Sequence, residues 1–295
     1  MRSSTTVLVT GGFGFIGSHV VRLLRNHCPR WRIVNVDRLT YAADPKSLSM
    51  LAVGRSYRWI RADVASRSRI LRIFKEERPR YVVHLAAESH VDRSILDATT
   101  FLRSNVLGTQ VLLDAARAFP VERFLYVSTD EVYGDLGPRG APATEASPFR
   151  PSSPYAASKA AADLFVQAYC RTYGLPVLIA RPCNHYGPRQ FPEKLIPFMI
   201  RKMLRGERLP LYGDGRQLRD WLYVEDGAQA LLAILRRGTP GRAYNIAARE
   251  PRQNRDIIRM LCDIVGNMQG RSGRSLWARV EMVRDRPGHD VRYAM

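Results

Sequence analysis

The chain has 295 residues, enough for one large domain or two coupled ones, with the apolar and charged balance of a soluble globular protein. No apolar run approaches the ~18 residues of a membrane span, and the start Met1-Arg2-Ser3-Ser4-Thr5-Thr6 runs straight into an apolar strand, which predicts no leader, no membrane partner and a cytoplasmic location. The net charge of +19 is large, but lysine occurs only at 46, 75, 159, 194 and 202 and the arginines are scattered, so solvated arginine-rich faces are expected rather than a nucleic-acid partner.

The first element is Thr5-Thr6-Val7-Leu8-Val9-Thr10, which reads as a buried parallel strand. Gly11, Gly14 and Gly17 follow at three-residue spacing, and a helix starting near Phe13 would aim its free N–H groups at whatever sits on the turn. Each glycine has its own reason to be small: a tight turn, close approach of a pyrophosphate, and helix–strand packing. A second strand, Arg32 to Asp37, ends in an acid at the distance that the dinucleotide fingerprint requires.

Tyr57 to Asp63 reads as a short strand, and Arg67 to Arg78 as a helix with Ile70, Leu71, Ile73 and Phe74 inward, stopped by Pro79. Tyr81–Ala87 is a buried strand, Phe101–Ala118 a long amphipathic helix, Arg123–Thr129 a strand, Pro154–Tyr173 a helix and Pro176–Arg181 a strand. This alternation predicts an α/β fold with a doubly wound parallel sheet, whose ligands bind at the carboxyl ends of the strands. Beyond Arg181, proline, glycine and arginine become dense, and 182–221 with 251–295 are expected to form a smaller, mixed C-terminal substrate lobe. Residues 222–250, with the strand-like Trp221–Val224, a helix Val224–Leu235 and Tyr244–Ile246, are expected to return to the large domain of residues 1–181. Asn254–Val265 reads as a helix and Gln269–Ser275 as a flexible loop. Cys28, Cys170, Cys183 and Cys262 lie far apart and match neither a zinc nor a Cys-x-x-Cys spacing, so reduced thiols and no metal are expected.

Two segments carry chemistry. Tyr155-Ala156-Ala157-Ser158-Lys159 sets a phenol and an ammonium at i and i+4 on one helix face. The lysine charge is expected to lower the phenol pKa, so that Tyr155 accepts a proton from a substrate hydroxyl. Thr129-Asp130-Glu131 leaves a buried strand. If the chain turns there, both carboxyls face the cleft, and two neighbouring carboxyls resist ionising together, leaving one as acid and one as base.

The sequence resembles the extended short-chain dehydrogenase/reductase family and, within it, the dTDP-glucose 4,6-dehydratase family. The resemblance runs over nearly the whole chain. It is carried by Thr10–Ser18, Asn35–Ala42, His84–Ser94, Ser128–Gly134, Phe191–Pro197 and Arg219–Asp226. It implies a Rossmann-type NAD-binding domain, a nucleotide-sugar substrate and a homodimer joined through Phe101–Ala118 and Tyr155–Tyr173. The implied reaction dehydrates an NDP-glucose, dTDP-glucose foremost, to the 4-keto-6-deoxy sugar by transient hydride transfer. Thr129, Asp130, Glu131, Tyr155 and Lys159 would be catalytic. Gly11, Gly14, Phe15, Ile16, Gly17, Asp37, Asp63, Val64, Ala86 and Ala87, with Tyr155 and Lys159, would hold NAD. Asp37 would bind the adenosine ribose and disfavour a 2′-phosphate. Ser89, Asn184, Lys194, Leu195, Tyr212, Arg219, Asn254, Arg286 and His289 would face the substrate.

Three departures stand out. In Arg181–Arg189 the usual run has two asparagines before the tyrosine, and His185 replaces the second, which looks partly like GDP-mannose dehydratases. UDP-, CDP- and GDP-sugar dehydratases are therefore the rival enzymes, with a catalytically silent NAD-binding protein as a rival of another class. Gly227 stands where a histidine is usual. The chain stops at Met295, where relatives continue for a further helical stretch, so apolar surface on the small lobe is expected to lie uncovered.

Overall fold

The structure is a computed structural model, which describes residues 5–51, 53–285 and 287–295. The first half alternates β1 (Thr6–Thr10), α1 (Phe15–His27), β2 (Arg32–Asp37), β3 (Tyr57–Arg61), α2 (Arg67–Glu77) and β4 (Tyr81–His84). Then come α3 (Val91–Leu96), α4 (Ala98–Phe101), α5 (Gly108–Ala118), β5 (Arg123–Val127), α6 (Pro154–Tyr173) and β6 (Val177–Pro182). The rest comprises β7 (Asn184–Tyr186), α7 (Leu195–Arg205), β8 (Leu209–Tyr212), β9 (Leu218–Arg219), β10 (Trp221–Tyr223) and α8 (Val224–Arg237). It closes with β11 (Ala243–Ile246), β12 (Arg252–Gln253), α9 (Asn254–Met268), α10 (Gly273–Trp277) and β13 (Val280–Val283).

Seven strands form one parallel sheet in the order β11-β6-β5-β4-β1-β2-β3. The apolar runs of β1 and β6 are buried along their length, as strands covered on both faces must be. One face packs Ile70, Ile73 and Phe74 of α2, Leu112 of α5 and Val166 of α6. The other packs Val20, Val21 and Leu24 of α1 with Ala228, Leu231 and Leu235 of α8. Chain order reverses between β1 and β4, which opens a crevice at the carboxyl ends of those strands.

The small lobe gathers β8 with β13, β9 with β12, and helices α7, α9 and α10 around Met199, Met203, Leu209, Ile258 and Cys262. Its outer face leaves Leu204 and Met282 exposed, and Met260, Ile264 and Met268 are exposed at i, i+4 and i+8 along α9. Backbone bonds from Leu218 N to Val291 O, at 2.8 Å, and from Ala143 N to Ala294 O, at 2.9 Å, draw residues 291–294 back across the molecule.

Several elements differ from the sequence reading. α1 begins at Phe15 rather than near Phe13, because Gly14 is extended (φ −72°, ψ 173°) and caps it. β3 stops at Arg61, so Asp63 lies in a turn where its carboxylate accepts from Ala65 N at 2.9 Å. The expected helix Phe101–Ala118 is not continuous: a π-helical turn, Leu102–Leu107, separates α4 from α5. Trp221–Tyr223 pairs with β7 in a two-stranded sheet rather than with the seven-stranded one, while Leu222 packs against the large core that α8 and β11 join. α9 runs on to Met268, and Gly273–Ser275 of the expected loop are helical, capped by Ser272.

Candidate active site

The crevice is a cavity of about 310 Å³, within the ~300–1,000 Å³ usual for small-molecule sites. Gly11, Gly14, Phe15, Ile16 and Gly17 line one end. Gly11 has φ +72°, and a Cβ there would lie 2.7 Å from Ala86 N. A Cβ on Gly17 would lie 2.1 Å from Gly11 O, whereas one on Gly14 meets only Gly11 O, at 3.2 Å. So Gly11 makes the turn, Gly17 the helix packing, and Gly14 leaves the approach to the cavity clear. Asp37 accepts from Phe13 N at 3.0 Å and Leu39 N at 2.8 Å. Burial raises its pKa, and these two bonds oppose that rise. Asp63, Val64, Ala86 and Ala87 complete this wall. Arg38 beside them donates to Glu88 at 2.9 Å and meets Asp63 at 3.5 Å, so its charge is answered by two carboxylates. This cradle fits a dinucleotide.

The acid pair lies at the other end. Thr129 is extended and its hydroxyl accepts from Glu131 N at 3.3 Å, starting a 3₁₀ turn over Asp130–Tyr133. The chain thus turns as it leaves β5, and both carboxyl residues line the cavity with Tyr155 and Lys159. Thr129 Oγ1 also donates to Asp130 Oδ1 at 3.2 Å, while Asp130 Oδ2 is buried with no partner. Burial and the neighbouring Glu131 push Asp130 up to about 8. It is therefore held protonated at neutral pH, as an acid must be.

The expected effect of Lys159 on Tyr155 is not what the structure shows. Burial, then Glu131, push the Tyr155 phenol above its ordinary value, opposed by a hydrogen bond with Thr129. Lys159 Nζ instead donates to Val127 O at 2.7 Å and lies 4.4 Å from the Tyr126 ring centre. Its own burial lowers it to about 7. The Lys159 side chain is turned toward β5, and burial with the neighbouring Glu131 keeps the proton on the phenol.

A supporting network escaped the sequence reading. Asn105, in the π-helical turn, accepts from Glu88 N at 2.8 Å and donates to Glu88 O at 3.0 Å and Ser158 Oγ at 2.8 Å. It ties the 86–88 loop to the helix that carries Tyr155. His84 bridges Thr10 Oγ1 at 2.7 Å and Thr109 Oγ1 at 2.9 Å. Thr109 already donates to Asn105 O, so His84 Nε2 is the donor and Nδ1 the acceptor. Burial lowers His84 to about 3, so the ring is neutral. Spacing gave no signal for either residue, since both act through buried side-chain bonds from distant elements.

Of the residues expected to face substrate, Ser89, Asn184 and Lys194 line the cavity. Leu195, Tyr212, Arg219, Asn254 and His289 are not among its lining residues, and Arg286 lies outside the described residues. Arg219 is buried, and its charge acts on Asp130. Its guanidinium lies 4.3 Å from the Tyr293 ring and donates to Asp290 O at 2.8 Å. Tyr212 and His289 meet edge to face at 6.2 Å on the small lobe. Asn184 Oδ1 and Gln190 Oε1, on the cavity wall, are buried acceptors with no partner.

Known proteins resemble this chain over nearly its whole length. A protein of Neisseria meningitidis serogroup B named dTDP-glucose 4,6-dehydratase is 48% identical over 303 residues, covering 98% of this chain and 84% of its own. An Escherichia coli K12 protein of the same name is 45% identical, with 98% and 84% covered. The crystal structure of DesIV, a dTDP-glucose 4,6-dehydratase from Streptomyces venezuelae with NAD bound, superposes with a TM-score of 0.91 at 43% identity, covering 99% of this chain and 88% of that one. A Thermus thermophilus UDP-glucose 4-epimerase with NAD reaches 0.87 at 32% identity, covering 99% and 90%. The model of the NAD dependent epimerase/dehydratase family matches residues 7–247, and the chain belongs to that family.

Proposed function

We propose that this protein is a dTDP-glucose 4,6-dehydratase, removing water from the sugar to leave the 4-keto-6-deoxy product. The observation that carries this reading is the meeting of Asp130 and Glu131 with Tyr155 in the cavity that the glycine turn opens. An epimerase needs only an acid–base group at one hydroxyl; an elimination needs a second base and a second acid. NAD+, when bound, supplies a hydride acceptor at the sugar C4 and returns the hydride at C6. Tyr155 takes the proton of the C4 hydroxyl, whose oxygen Thr129 holds. Binding of NAD+ and sugar would turn Lys159 from Val127 O toward the nicotinamide ribose and the phenol, which lowers the phenol pKa by its charge. The C4 ketone acidifies the C5 proton, and Glu131 removes it. Asp130 gives its proton to the C6 hydroxyl, which leaves as water. Glu131 then returns a proton at C5 as the hydride reaches C6, and no net oxidation remains.

Lys194 and Asn184 would meet the diphosphate, with charge-assisted donation from the lysine, and Arg219, Tyr212, Asn254 and His289 would complete the nucleotide end from the small lobe. A homodimer through α4–α5 and α6 is supported by the exposed Leu102, Leu107, Leu164 and Phe165. The four cysteines are unpaired, which suits a cytoplasmic enzyme. Incubation with dTDP-, UDP-, CDP- and GDP-glucose, each followed by mass spectrometry for loss of one water, tests the reading. Turnover of dTDP-glucose foremost is expected; preference for another base would move the assignment, and loss of water from none would end it.

A further inference from the structure

Two of the departures in the sequence meet in space. His185 lies on β7 and Gly227 in the second turn of α8. A Cβ placed on Gly227 would lie 1.9 Å from His185 Nε2 and 2.5 Å from its Cδ2. The imidazole, 7% exposed, therefore fills the space that any side chain at 227 would need. Its Nδ1 donates to Cys183 O at 2.9 Å, and its own carbonyl accepts from Gln190 Nε2 at 2.8 Å. Nε2 has no partner, and burial keeps the ring neutral. Cys183, Asn184, His185 and Gln190 all line the cavity.

We propose that His185 and Gly227 are a matched pair that positions the 183–190 wall of the cavity. From the strand the ring wedges β7 against the first turns of α8. The wall that carries Asn184 and Gln190 takes its place from that wedge. Neither residue can change alone. At an ordinary site inside a helix, replacing glycine by alanine raises stability, because glycine has more backbone freedom to lose on folding. At 227 the sign reverses, since the methyl group must displace a buried ring.

The experiment is a pair of double-mutant cycles on the NAD+-loaded protein: G227A, H185N, H185N/G227A, G227H and H185N/G227H. The readouts are the thermal midpoint and the Kd values for NAD+ and for dTDP; the dTDP arm rests on the dehydratase reading. G227A alone should lower the midpoint and weaken ligand binding about tenfold, while the same change in the H185N background should raise the midpoint and cost binding less than about twofold. H185N/G227H, with an imidazole from the helix in the space that His185 vacates, should fold and bind within about threefold of the unmodified protein, whereas G227H alone should be the least stable. A higher midpoint for G227A in both backgrounds overturns the pair. Coupled midpoints with additive Kd values reduce it to packing and overturn the positioning role. If the unmodified protein binds no dTDP, the dehydratase reading falls, and the midpoints with the NAD+ arm still decide the pair.

Discussion

Arg181 grips Asp163 through two hydrogen bonds, Nε to Oδ2 at 2.9 Å and Nη2 to Oδ1 at 3.0 Å, with both side chains almost wholly buried. The pair joins β6 to α6, the helix that carries Tyr155 and Lys159. Arg181 also donates to the Tyr133 hydroxyl at 2.8 Å, at the end of the turn that carries the acid pair. Removing either partner leaves the other as a buried, uncompensated charge. D163A or R181A should each lose about 3–5 kcal/mol of unfolding free energy in urea titrations. The D163L/R181M double variant, with no charge left to strand, should recover most of that. A single-variant loss under about 1 kcal/mol would show that the pair does not lock the two elements.

Asp130 has a folded pKa near 8 against an ordinary 3.8, so between those values the native state keeps a proton that the unfolded chain releases. Its contribution to stability is greatest below the unfolded pKa and is lost as pH rises toward about 8, with a slope of about 1.4 kcal/mol per pH unit at most. D130N removes this dependence. Its stability relative to the unmodified protein should improve steadily from pH 4 to pH 8 in denaturant titrations. Its turnover should fall about 10²–10⁴-fold. The unmodified protein should lose kcat above about pH 8, where the acid ionises. A stability difference that does not change with pH would refute the protonated assignment.

Glu131→Gln separates oxidation from elimination. Tyr155 and Lys159 are untouched, so the C4 hydroxyl should still be oxidised, and NADH absorbance should build up in a stopped-flow trace with dTDP-glucose. The C5 proton then has no base, and product formation should fall about 10²–10⁴-fold. Unimpaired product formation, or a lack of NADH absorbance with product abolished, would count against this role for Glu131. Tyr155→Phe is the counterpart, and it should abolish the NADH signal itself.

The parallel core was legible because β1, β2, β4, β5 and β6 are apolar runs between amphipathic helices, and both patterns are local. The acid pair was legible because Asp130 and Glu131 are adjacent and the strand before them is unmistakable. What periodicity could not give was the direction of a side chain. Tyr155 and Lys159 share a helix face, yet the ammonium turns to Val127 O, because a buried cation takes the nearest carbonyl. The break in the helix at Leu102–Leu107 was invisible for a related reason: no residue within the turn distinguishes it from an α-helix, its apolar residues continue the pattern, and Gly108 just after it keeps helical dihedrals. The wedge of His185 into Gly227 joins two positions far apart in sequence, and one chain read alone shows only two unrelated oddities.

The π-helical turn makes its own prediction through Asn105, which is almost fully buried. The wider turn places one carboxamide so that it serves Glu88 N, Glu88 O and Ser158 Oγ at once. Ser158 passes the constraint on by donating to Tyr155 O at 2.7 Å. Asn105→Ala leaves the Glu88 amide and carbonyl buried without partners, at a cost of about 1–3 kcal/mol. The thermal midpoint should drop. NAD+ should bind more weakly, because Ala86, Ala87 and Glu88 on the cavity wall lose their tether to α6. Asn105→Asp, which keeps the acceptor for Glu88 N but sets a carboxylate against Glu88 O, should be the worse of the two. Calorimetric titration with NAD+ alongside thermal melts checks both. A variant with a lowered midpoint and unchanged NAD+ affinity would confine Asn105 to holding the helix.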